Sequence, residues 1–121
     1  MSFGANKFKF QIDSIRGRGI EIGVVQRVIL NDGANPVMET RDLWLYWVLE
    51  GVKFHPGRGE DPYGTREILA GDTITMNIEQ GAMNFRLNDE SLGVAYEDEN
   101  LMGDDLIPFV WLNEGDSVTI L

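Results

Sequence analysis

The chain has 121 residues, 43% of them hydrophobic and 25% charged, with a formal net charge of −10 and no cysteine. That is enough for one domain with its own apolar core, and it excludes disulfides, thiolate metal sites and cysteine nucleophiles. The N-terminus lacks the apolar stretch of a signal peptide, and the longest apolar run, Leu43–Leu49, is seven residues against the ~20 that span a bilayer, so an intracellular, cytoplasmic protein is expected.

The charge is uneven. Residues 1–70 hold nine basic and nine acidic side chains, whereas residues 71–121 hold one basic residue, Arg86, and eleven acidic ones. A nucleic-acid duplex or an anionic membrane would be repelled by the second half. No nucleic-acid or membrane partner is therefore expected, and a charged partner would be basic.

In chain order, Lys7–Ile15 alternates, with Phe8, Phe10 and Ile12 on one face and Lys7, Lys9, Gln11 and Asp13 on the other, the period of a half-buried strand. Arg16–Gly19 reads as a turn; its two Arg–Gly pairs do not repeat, so an RNA-binding element is not expected. Gly19–Val25 places Ile20, Ile22 and Val24 inward and predicts the second strand of a hairpin with Lys7–Ile15. Arg27–Asp42, with Asn31-Asp32-Gly33 and Asn35-Pro36, predicts a long irregular connection. Leu43–Glu50 is apolar on both faces until Glu50, so cover is expected on each, from a partner, from Arg27–Asp42 or from the rest of a longer protein. His55–Arg66, with two prolines, three glycines and four charged residues, predicts a loop.

Gly71–Tyr96 is the clearest stretch. Ile74, Met76 and Ile78 share one face; Gln80-Gly81 is a two-residue hairpin connection; Met83, Phe85 and Leu87 alternate beyond it. Asn88–Ser91 turns the chain again before Leu92–Tyr96. Glu97–Asp105 predicts an acidic loop, and Leu106–Leu112 and Asp116–Leu121 two closing strands around Asn113-Glu114-Gly115. No segment carries a 3.6-residue apolar period, so the pattern is that of an all-β, antiparallel sandwich of about nine strands.

Catalytic constellations are not found. His55 is the lone histidine, and none of Ser2, Ser14, Ser91 or Ser117 lies in a nucleophile elbow. Glu97, Asp98 and Glu99 lie in a loop, not at alternate positions of one strand as a glycosidase pair would. Asp98, Asn100, Asp104 and Asp105 are hard oxygen donors, but a calcium loop begun at Asp98 would put Phe109 where the bidentate carboxylate belongs. No metal, cofactor or enzymatic activity is expected.

Several of these segments carry a resemblance. The order GDTI, GAMNF, N-x-x-x-LGVAY, LIPFV and GDSVTIL resembles the second half of a SPRY (B30.2-like) domain. FKFQI, GIEIGVV and VKFH resemble steps of its first half. The resemblance runs from Lys7 to Leu121. It implies a jelly-roll or concanavalin-like two-sheet β-sandwich with little or no helix. It also implies a non-enzymatic interaction module whose loops at one end form a shallow pocket for a short segment of a partner protein. Phe54 and His55 match the family's aromatic–histidine step, and Tyr63 falls where a loop aromatic contributes to the pocket. At the step before the last strand, where several members have a pocket Trp, this chain has Asn113-Glu114-Gly115, and Trp111 is displaced toward the strand.

The combined expectation is one SPRY-like domain over 1–121, cut from a longer protein. It would bind a peptide or loop, basic in character, at the edge formed by Arg27–Asp42, His55–Arg66 and Glu97–Asp105. Arg41, His55, Arg58, Tyr63, Arg66 and Trp111 are the candidate partner-binding residues. The alternative is a lectin-like carbohydrate-binding module, with exposed aromatics stacking on sugar rings.

Overall fold

The computed structural model of the chain describes residues 6–17, 19–33, 35–64, 68–102 and 106–121, with only the backbone at 6, 28–32 and 35–41. Ten strands form: β1 (Asn6–Ser14), β2 (Glu21–Asp32), β3 (Asn35–Trp47), β4 (Val52–His55), β5 (Gly59–Pro62), β6 (Thr73–Glu79), β7 (Ala82–Leu87), β8 (Glu90–Glu97), β9 (Leu106–Trp111) and β10 (Ser117–Ile120). The one helical element among the described residues is a single 3-10 turn, Glu99–Met102. The strands build two antiparallel five-stranded sheets in the orders β10-β1-β6-β7-β8 and β5-β4-β3-β2-β9.

The meander β6-β7-β8 follows directly from its sequence. Gln80 and Gly81 both take positive φ, 50° and 79°, the geometry whose twist matches that of the flanking strands. Asn88, also at positive φ, locks the second turn: its Oδ1 accepts from the Thr73 amide at 3.0 Å and its own amide donates to the Thr73 carbonyl at 2.7 Å. With the register so fixed, Ile74, Met76, Ile78, Met83, Phe85 and Leu87 all turn inward and are at most 1% exposed. Ile20, Ile22, Val24, Trp44, Tyr46 and Val48 meet them from the other sheet, also at 0–1%. Each such side chain contributes about 1.5–3 kcal/mol on leaving water, and this layer is the core.

Two expected hairpins are not hairpins. β1 pairs with β6 and β10, whereas β2 pairs with β3 and β9, so Arg16–Gly19 and Asn113–Gly115 cross between the sheets. A single carboxylate ties the two crossings together. Asp116 is 8% exposed; its Oδ1 accepts from the amides of Arg16 and Gly17 at 2.8 Å each, and its Oδ2 from Gly19 at 3.0 Å and Asn113 at 3.3 Å. The glycines beside Arg16 serve this junction, since a Cβ on Gly17 would stand 2.6 Å from the Asn113 Cβ, and one on Gly19 2.0 Å from its Nδ2.

Two expected loops contain strands. Arg27–Asp42 is mostly the far half of the β2–β3 hairpin, whose register continues to Asp32↔Asn35. Its turn residues mark only the tip; backbone pairing does not need the apolar alternation missing there. Within His55–Arg66, Gly59–Pro62 pairs with β4 as an edge strand, where charges and proline are tolerated because one side of the strand needs no partner.

Cover for Leu43–Leu49 is unequal. Trp44, Tyr46 and Val48 are sealed by the opposite sheet, whereas on the outer face Leu45 is 6% exposed and Leu43 and Trp47 are half-buried. Part of that outer cover is local: Trp47 stacks on Phe54 of β4 with centroids 5.3 Å apart.

Candidate functional site

The side chains of β4 alternate like those of any strand, and the register Tyr46↔Lys53 turns Lys53 and His55 inward, toward β8 of the other sheet. Lys53 Nζ donates to the Ala95 carbonyl at 2.7 Å and lies 5.1 Å above the Tyr96 ring. The His55 imidazole stacks on Trp44 at 5.1 Å and tilts against Tyr96 at 5.8 Å. Its Nδ1 lies 2.8 Å from the Leu43 carbonyl, an acceptor only, so Nδ1 carries the proton; the Asp42 carboxylate is 3.5 Å from the same nitrogen. These contacts close one edge of the sandwich with aromatic rings and leave His55 only 7% exposed.

Above this closure sits the tight turn between β4 and β5, held by the Arg58 amide donating to the His55 carbonyl at 2.9 Å. The Arg58 guanidinium, half exposed, comes within 3.9 Å of Asp98 Oδ2. An exposed pair of this kind is worth at most about 1 kcal/mol, so its consequence is positional: it joins the β4–β5 turn to the segment after β8. That segment is built by Asp98. Its amide donates to the Gly81 carbonyl at 2.9 Å, and its Oδ1 accepts from the Asn100 amide at 2.9 Å, capping the 3-10 turn.

Between the β6–β7 turn and this capped segment lies an open hollow of about 320 Å³, lined by Gln80, Gly81, Ala82, Glu97, Asp98, Glu99 and Met102. Met102 is 56% exposed although Leu101 beside it is fully buried. The hollow thus offers a thioether, which adapts its shape to apolar groups, alongside the acidic residues Glu97, Asp98 and Glu99. On the inward side of β8, the Tyr96 hydroxyl is buried with no hydrogen-bond partner among the described residues. Burial, and then the Asp61 charge, push its pKa well above the ordinary tyrosine value, while Arg58 acts in the opposite direction.

The six residues singled out from sequence are dispersed. His55 and Arg58 come together at the closed edge. Tyr63 belongs to the core: it is 7% exposed, donates from its hydroxyl to the Gly93 carbonyl at 2.5 Å and accepts from the Phe85 amide at 3.2 Å. Trp111 projects from the opposite face of its sheet, since it pairs with Glu21 while Val110 pairs with inward Ile22; it is 53% exposed. The β2–β3 register steps from Asp42 to Thr40 and passes over Arg41, whose side chain lies outside the described residues, as do Arg66 and the calcium candidates Asp104 and Asp105. Sequence reasoning missed Met102 and the β6–β7 turn as parts of one hollow; the available signal was an apolar residue in the middle of an acidic loop.

A search of curated proteins finds no significant match. Among solved structures, the crystal structure of the SPRY domain of human HERC1 is similar, with a TM-score of 0.70 and 26% identity over 99% of this chain and 76% of that one. A family model described as SPRY domain matches residues 6–121, nearly the whole chain, in agreement with the two-sheet order and the resemblance read from LGVAY and GDSVTIL. The chain belongs to the SPRY domain family.

Proposed function

We propose that this domain binds a short segment of a partner protein, basic in character, at the edge where the β4–β5 turn, the β6–β7 turn and the Glu97–Met102 segment converge. SPRY domains are generally protein–protein interaction modules and are typically non-catalytic. The observation that carries the finer reading is the hollow that exposed Met102 lines together with Glu97, Asp98 and Glu99. An apolar side chain of the partner would settle against Met102 while its lysines or arginines meet the carboxylates. Arg58, held near Asp98, would fix the register by donating to partner carbonyls.

Panning a random peptide library on the domain tests this. Enrichment of peptides combining Lys or Arg with an apolar residue is the expected result. Met102→Asp and the double variant Glu97→Lys/Glu99→Lys should each weaken the selected peptides by about tenfold or more, with the melting temperature unchanged. Enrichment of acidic peptides, variants that bind like the parent, or capture on a glycan array with no peptide selected would overturn it.

A further inference from the structure

We propose that the outer face of the β5-β4-β3-β2-β9 sheet is a second docking surface, for an extended segment of a partner protein carrying a lysine or arginine two residues from an apolar side chain. The surface is separate from the loop edge, because residues facing outward on these strands point away from the core and from β8.

The register assembles the surface row by row. Glu21 on β2 lies between Trp47 on β3 and Trp111 on β9, so one carboxylate is flanked by two indoles. Two residues further along β2, Gly23 lies between Leu45 and Phe109, with Phe54 beyond Leu45 on β4. Gly23 carries no side chain, since a Cβ there would stand 1.9 Å from the Trp44 carbonyl oxygen; it and Leu45 are buried, so the accessible part of this row is the half-buried Phe54 and Phe109. The two rows are about 6.6–6.8 Å apart, twice the rise of a strand residue, which is also the spacing of alternate side chains in an extended ligand. An apolar side chain set against Phe109 in this row therefore places the residue two positions away level with Glu21 and the indoles that flank it.

A cation is what that position receives well. Ring faces attract ammonium and guanidinium groups, and a second carboxylate, Glu50, stands near Glu21. Together with Gly19, Trp47 and Asn113 the two acids line a hollow of about 220 Å³. Burial and the Glu50 charge raise the Glu21 pKa; the nearby Trp47 indole N–H offsets part of this although it completes no hydrogen bond. An incoming cation would reverse that rise. Over the stretch where the five strands pair (21–26, 42–47, 52–55, 59–62 and 106–111) the one cation is Lys53, and it points inward to Ala95. A second copy of the chain is a poor occupant, because each copy carries a net charge of −10 and would bring Glu21, Glu50 and Glu60 against their counterparts.

The test is an NMR titration of the isotope-labelled chain with a synthetic extended peptide in a glycine–serine background, carrying isoleucine and, two positions on, lysine. A control peptide carries glutamate in place of lysine. The expected result is movement of the Trp47 and Trp111 indole N–H resonances with the lysine peptide only. The buried Trp44 indole should stay still, as the internal reporter that the fold is intact. Glu21→Gln and Trp111→Ala should each weaken the titration about threefold to tenfold, while Ile120→Ser, exposed on the other sheet, should leave it unchanged. Equal response to both peptides, no response at millimolar peptide, or response at the Met102 methyl in place of the indoles would overturn the proposal. So would a concentration-dependent dimer that buries Trp111.

Discussion

On β3, Trp44 and Tyr46 point into the sandwich, while Leu45 and Trp47, each one residue away, point out of it. The inner rings form a joint. Trp44 stacks on His55, Tyr46 meets Tyr63 edge-on at 5.2 Å, and Tyr63 fastens to the opposite sheet through Gly93 and Phe85. The outer aromatics have one another, a few aliphatic neighbours, the Glu21 carboxylate and, for Trp111, an exposed hydrogen bond from its indole N–H to Asn113 Oδ1 at 3.3 Å. An aromatic residue tied at both ends by hydrogen bonds and packing is a structural part. One that is half covered and set beside an acid is available to something else, which is why the two groups should respond differently to the same kind of substitution.

The largest contrast is expected at Tyr63. Tyr63→Ala should cost about 3–5 kcal/mol, as for other buried aromatic truncations, and Tyr63→Phe about 1–3 kcal/mol, because the Phe85 amide and Gly93 carbonyl lose their partner; urea denaturation measures both. A Tyr63→Ala variant of unchanged stability would break the comparison, since it would put that ring among the available ones. Asp116→Ala comes next, at about 2–3 kcal/mol on the scale of charge-assisted hydrogen bonds, again read by urea denaturation.

Alkaline titration sharpens the same distinction without mutation. Burial pushes Tyr46 and Tyr63 up to about 12 and Tyr96 in the same direction, and these are all the tyrosines of the chain. The unfolded chain releases phenolic protons near pH 10 while the native state still holds them. The tyrosine contribution to stability is therefore intact below pH 10 and is lost as the pH rises toward 12. Phenolate absorbance should appear together with unfolding; a tyrosine that titrates near pH 10 in the folded protein would contradict the burial.

The smallest effects belong to the outer face. Trp111→Ala should change stability by no more than about 0.5 kcal/mol, as exposed positions do. Glu21→Gln should be slightly stabilising at neutral pH. The raised carboxyl pKa means that the folded state favours the protonated form, so this group's contribution is present below the ordinary carboxylate pKa and lost as pH rises through the raised value. Thermal melts of Glu21→Gln and the parent across pH 4–7 should therefore diverge as pH rises; parallel curves would refute it.

Much of this was legible in the sequence because it is local. Alternation in Lys7–Ile15, Gly19–Val25 and Gly71–Tyr96 declares which residues face the core, and Gln80-Gly81 and Asn88 declare the turns, since period and φ preference act within a few residues. Which sheet a strand joins is another matter. Arg16–Gly19 and Asn113–Gly115 look like hairpin turns, and what makes them crossings is Asp116 gathering amides from segments about a hundred residues apart. Tyr63 reads as a loop aromatic until Phe85 and Gly93 are brought to its hydroxyl. Likewise Trp111 acquires a neighbour in Glu21 only through the β2–β9 register. Most strands, their inward faces and the family resemblance could be read from the residues alone, because these rest on short-range periodicity and turn chemistry; β5 and the far half of the β2–β3 hairpin could not, because their residues do not alternate. The crossings, the burial of Tyr63 and the outward aromatic row emerge only on folding, because each depends on contacts between residues far apart in the chain.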